Sequence, residues 1–238
     1  MLHLRHVIWV ISFLLSGLSV SAFAYQVQPM VAELHTSGNR SAVTYRVINP
    51  SDTPVPIEVV VYKRSFDENQ KEILTETEED FIVLPPQVDV PANGYQVFRA
   101  QFLGDPDFEK TQSYRIVFKQ LPIEQQGQAS QVNMIFNFAT LVFVSQPDTV
   151  GQLLQTLDCT DKEHCYLNIV NTGDAVVNLV QSTIHINGEM TGNWQWLQQN
   201  MPVTFLMPEH KLSINIKELI AESPLPAQVN LVTADNAQ

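Results

Sequence analysis

The sequence predicts an all-β protein made of two immunoglobulin-like (Ig-like) β-sandwiches in tandem, meeting near residues 145–150 with a cleft between them. Three observations predict it. Runs rich in β-branched and aromatic residues recur, with turn residues about every 8–12 positions. No stretch carries helical periodicity beyond about two turns. And a strand–turn–strand phrase in the first half, "AVTYRVINPSDTPVPIEVVVYKR", is echoed later by "CYLNIVNTGDAVVNLVQSTIHING".

Residues 1–24, "MLHLRHVIWVISFLLSGLSVSAFA", have the layout of a secretory signal peptide. Arg5 precedes an apolar run from Val7 to Leu15, and Ala22-Phe23-Ala24 supplies the small-x-small cleavage site before Tyr25. The run is short for a ~20-residue membrane span and has no flanking stop-transfer charge. An exported chain without stable membrane insertion is expected.

Residues 25–147 read as the first sandwich. "SAVTYRVIN", the turn "PSDTP" and the strand "VPIEVVVYKRSF" lead to the acidic turn "DENQKE". "FIVLPPQVDVPANGYQVFRAQFL" holds two further strands split by a turn at residues 91–94, and "SYRIVFKQL" and "NMIFNFATLVFV" close the unit. "SQPDTVGQ", residues 145–152, reads as a linker. Residues 148–238 form the second sandwich, ending in "MPEHKLSINI" and "AQVNLVTAD", with Trp194 and Trp196 as core or turn cover.

Composition narrows the function. A hydrophobic content of 45% sustains packed cores. The formal charge of −12, which counts Arg5 of the leader, argues against nucleic acid or an anionic membrane as partner. The only cysteines, Cys159 and Cys165, stand in "DCTDKEHCY". A metal loop with His164 is conceivable there, but export favours a disulfide. No nucleophile elbow, zinc-protease helix or phosphate loop occurs. The run "TETEED" reads as a solvated turn rather than a cation site. No enzyme, cofactor or metal is expected.

One stretch asks for a partner. In "QVNMIFNFATLVFVSQP", residues 131–147, Val132, Met134, Phe136 and Phe138 share one face of an extended strand. The other face, through Ile135, Ala139 and Leu141, is also apolar, broken by Asn133 and Asn137. Such a strand needs cover on both sides.

Together, "TETEEDFIVLPPQVDVPANGYQVFRAQF", "SYRIVFKQLP" and the strand ending "LVFVSQP" resemble the periplasmic chaperones of chaperone–usher pili, most closely the archaic branch. The likeness runs over residues 25–147; the second half matches in size, strand order and its "NTGD" turn. It implies a boomerang of two Ig-like domains that binds pilin or fimbrial subunits in the periplasm and delivers them to an outer-membrane usher. The last strand of the first domain would be lent to an incomplete pilin fold, its backbone pairing and its alternate side chains filling a groove. Val132, Met134, Phe136 and Phe138 are the expected donor residues. The resemblance departs at the anchor for the pilin's terminal carboxylate. The best-known branch has an Arg in the first strand and a Lys in the last, whereas here Glu33 occupies the former place and the last strand has no base. Arg99 and Arg115, on strands expected beside the donor edge, are the substitutes, because a planar guanidinium grips both carboxylate oxygens. The acidity is a second departure, these chaperones tending to be neutral or basic. A secreted Ig-like pilin or adhesin, or another extracytoplasmic binding module, is the alternative.

Overall fold

The computed structural model describes residues 24–122, 134–222 and 224–234. The first part contains β1 (Gln26–Gln28), β2 (Val31–His35), β3 (Ala42–Asn49), β4 (Val55–Phe66), β5 (Glu72–Glu76), β6 (Phe81–Leu84), β7 (Gln87–Val90), β8 (Gly94–Phe102), β9 (Gln112–Gln120) and β10 (Asn137–Ser145). One sheet runs β1-β3-β8-β6 and the other β2-β10-β9-β4-β5, with β7 also on β4. The chain's opening segment therefore changes sheets. β1 pairs antiparallel with β3, and three residues later β2 pairs parallel with β10.

Alternation builds the core between these sheets. In β9, Tyr114, Ile116 and Phe118 are fully buried, while Arg115 and Lys119 take the outer face. Tyr45, Phe98 and Phe118 meet edge to face at centroid distances of 5.2 and 5.3 Å. Each fully buried side chain of this size contributes about 1.5–3 kcal/mol from leaving water.

The second part comprises β11 (Leu153–Cys159), β12 (Cys165–Asn171), β13 (Val177–Asn178), β14 (Thr183–Ile186), β15 (Glu189–Gly192), the short helix α1 (Trp194–Asn200), β16 (Phe205–Leu206), β17 (Lys211–Asn215) and β18 (Val229–Val232). Its separate core is drawn from Leu167, Ile169, Leu179, Ile184, Leu197 and Ile214, with Trp194 and Trp196 packed on its flank. Asn193 caps α1 by accepting the Trp196 N–H at 3.0 Å. Cys159 and Cys165, opposite each other where the β11–β12 hairpin turns, are joined as a disulfide.

The repeated phrase has a structural cause. Asn49 and Asn171 each close a strand and are buried. Each amide nitrogen donates to the carbonyl four residues on, Thr53 or Ala175, at 2.8 Å. Each side-chain oxygen accepts the N–H two residues on, from Ser51 at 3.0 Å or Gly173 at 3.1 Å. The second turn also clasps the linker. Thr172 N–H donates to Gln152 O at 2.7 Å, and a Cβ on Gly173 would lie 2.2 Å from Val150 O. Only glycine allows that approach.

Candidate functional site

The site begins with a strand that the described residues pair along only part of one edge. β9 accompanies β10 from Asn137 to Val144, but β2 joins it only from Leu141 onward. Leu141 N–H donates to Met30 O at 2.9 Å on the β2 side. Backbone groups of alternate residues point the same way, so those of Asn137 and Ala139 face an edge that β2 does not cover. The groups of even-numbered residues turn to β9, where Phe136 O accepts Gln120 N–H at 3.3 Å. The cause lies in the first strand, which occupies the other sheet until it crosses at Pro29.

The faces of this strand are graded. Thr140, Val142 and Val144 are fully buried in the first core. Phe138 and Phe136 continue that face but are only half-buried, and Met134, at its mouth, is 65% exposed. Phe138 meets Tyr25 edge to face at 4.7 Å. The Tyr25 hydroxyl donates to Phe118 O at 2.6 Å and is 3.0 Å from Phe136 O, so the tyrosine bridges β9 and the start of β10. Burial pushes that phenol above its usual range, which keeps it a donor. On the other face Ile135, Asn137 and Ala139 are exposed. Phe136 and Phe138 do not stand clear of the protein's own core but form its rim. Val132 lies outside the described residues.

The expected arginines separate. Arg99 lies on β8, whose neighbours are β3 and β6, and its side chain projects into solvent between the buried Phe98 and Ala100. It is not beside β10, which corrects the expectation that its strand adjoins the donor edge. Arg115 is there, directly opposite Leu141 and on the same outer face. It stands with Arg64 of β4 on a cleft of about 520 Å³, whose far wall includes Met201, Val203 and Phe205 of the second module.

Between the two guanidinium groups lies Glu72. Arg115 Nε donates to one carboxylate oxygen at 3.2 Å and Nη2 to the other at 2.9 Å, while Arg64 Nε bonds the latter too. Burial opposes ionisation of Glu72, but hydrogen bonds from Arg115 and Arg64 prevail and hold its carboxyl below the usual range. Burial also lowers Arg64. Sequence reasoning missed Arg64 and Glu72. The "KRSFDENQKE" hairpin was the available signal, since its turn brings Arg64 diagonally against Glu72.

The cleft walls are tied together. Phe143 packs on Phe205 at 5.1 Å, Thr111 N–H donates to Asp174 O at 2.8 Å, and Gln70 accepts Lys211 N–H at 2.9 Å. His210 meets Phe66 at 4.3 Å, and burial with nearby Arg64 lowers its pKa from 6.5. Among the described residues, no group of three His, Cys, Asp or Glu is placed to hold a metal ion, and no helix is long and apolar enough to cross a membrane.

The chain thus has two β-sandwiches flanking a cleft, with β10 on its rim. The chain belongs to the family of pili and flagellar-assembly chaperones with the PapD N-terminal domain, whose model matches residues 26–150. The fold is similar to a chain of the CsuC–CsuE chaperone–tip adhesion subunit pre-assembly complex from the archaic Csu pili of Acinetobacter baumannii. That match has a TM-score of 0.57 at 14% identity over 91% of this chain and 95% of that one. A chain of the Salmonella enterica SafA pilin–SafB chaperone complex matches with a TM-score of 0.56 at 14% identity, covering 90% and 98%. The Escherichia coli chaperone DraB matches at 0.53 with 18% identity, covering 87% and 86%. No curated protein sequence matches the chain significantly.

Proposed function

We propose that this chain is a non-enzymatic periplasmic chaperone, exported by a leader cleaved before Tyr25, that holds pilin subunits and hands them to an outer-membrane usher. The observation carrying this reading is β10, half-paired among the described residues: none of their strands covers its edge beside Asn137 and Ala139, and Met134, Phe136 and Phe138 form an apolar rim. A client strand laid on that edge gains backbone hydrogen bonds, and its unfinished core can share the rim. Residues 25–147 form the client-holding module and 148–238 the other wall of the cleft. Arg115, assisted by Arg64, receives the client's terminal carboxylate. The alternative of a pilin or adhesin finds less support, because β1 and β2, the first described strands, are already paired within the chain.

Isolation of the tagged protein from a periplasmic extract, followed by mass spectrometry, tests the reading. A pilin subunit should accompany it in near-equal amount, and assembled fibres should lack the chaperone. Recovery of the protein as a component of the fibre would overturn the assignment.

A further inference from the structure

Glu72 occupies the place in which a second carboxylate would be expected. Arg115 presents Nε and Nη2 to its two oxygens at 3.2 and 2.9 Å, the side-on fork geometry by which arginine grips any free carboxylate. Arg64 closes on the same group from β4. Arg64 and Arg115 front the cleft beside Ala139 and Leu141, and Arg64 also lines the neighbouring hollow with Glu72, Phe66 and His210. A ligand following β10 into the cleft therefore meets guanidinium groups whose fork Glu72 already holds. The three side chains are 16, 25 and 28% exposed, so water reaches the cluster and exchange needs no opening of the core. Two positive charges face one negative one, leaving the cluster with affinity for a further anion in a strongly acidic chain.

We propose that Glu72 is a built-in stand-in for the client's terminal carboxylate. Resting on the reading that the cleft receives such a carboxylate, the inference adds that Glu72 fills the two-arginine fork in the unloaded protein and yields it to the incoming group. It keeps the arginines aligned while no client is present. It also sets a threshold, because only a ligand that brings its own carboxylate can replace the bonds that Glu72 gives up. A neutral chain end meets an occupied fork.

The test uses N-acetylphenylalanine as the free acid, with N-acetylphenylalaninamide as control, titrated into the full mature chain. Binding is followed by NMR through the arginine Nε–H signals, assigned with Arg64→Lys and Arg115→Lys. The acid should shift both signals and the amide neither. Glu72→Gln keeps the shape and removes the competing charge, so it should bind the acid about tenfold more tightly, the worth of one charged hydrogen bond. Unchanged or weaker binding of the acid by Glu72→Gln, with acid still preferred to amide, overturns the stand-in role and leaves carboxylate recognition standing. If neither protein distinguishes acid from amide, both fall. Should Glu72→Gln fail to fold, Glu72→Asp, with its carboxylate withdrawn by one methylene, should tighten binding in the same direction; no tightening there rejects the proposal.

Discussion

Replacing Met134, Phe136 and Phe118 one at a time by serine separates lending a strand from packing a core. Phe118 is fully buried, so its loss should cost about 3–5 kcal/mol and largely abolish folding. Phe136 lies half-buried on the rim of the same core, which scales the cost to about 2 kcal/mol. Met134 is 65% exposed and should change stability by no more than about 0.5 kcal/mol. Client capture should follow the opposite order at the rim: Met134→Ser stays folded yet loses client, and Phe136→Ser loses client well beyond its loss of stability. Urea melts of the purified variants give the first quantity, and pilin recovered per folded chaperone the second. The reasoning is refuted if Met134→Ser captures client normally, or if Phe136→Ser costs as much stability as Phe118→Ser.

Further outcomes are open to measurement. Arg115→Gln and Arg64→Gln should each weaken client capture, the double variant most, by about 2–5 kcal/mol where the contact is buried; wild-type capture in the double variant would rule the anchor out. The lowered Glu72 pKa makes its contribution to stability fully present above the ordinary value of 4.5 and lost as pH falls below it, a step that Glu72→Gln should remove from an acid titration. His210, whose pKa lies below 6.5, favours the folded state above that pH and less so as pH falls through the lowered value; His210→Gln should flatten that part of the curve. Changing both Cys159 and Cys165 to serine should cost the second module about 2 kcal/mol in melts, as the closed loop is short, and leave client capture intact. Asn171→Ala should cost about 3 kcal/mol, since it removes the buried donor shared by the Ala175 and Leu206 carbonyls.

Alternation made most of the fold legible. β9 and β12 announce their inward residues by period alone, and the repeated asparagine turn shows itself in the text because the same buried hydrogen bonds impose it twice. Strand order across the sheets was not legible. Arg99 and Arg115 sit in similar phrases, yet one strand pairs with β3 and the other with β10, a choice made by tertiary packing rather than local pattern. Period likewise assigned Phe136 and Phe138 to one face but not that face to a neighbour, and the core claimed part of it. Arg64 and Glu72 were hidden because lone charges in a hairpin usually mean solvent, and only the second module's closeness turns this outer face into a cleft wall.

Tyr25 bears on how the protein is handled at the bench. Its hydroxyl ties Phe118 to Phe136, and Ala24 lies with Met134 and Phe136 around one hollow. Under the proposed client-holding role, a group attached at Ala24 sits beside the rim that receives the client, so a fluorophore there should report client binding and a bulky tag there should hinder it.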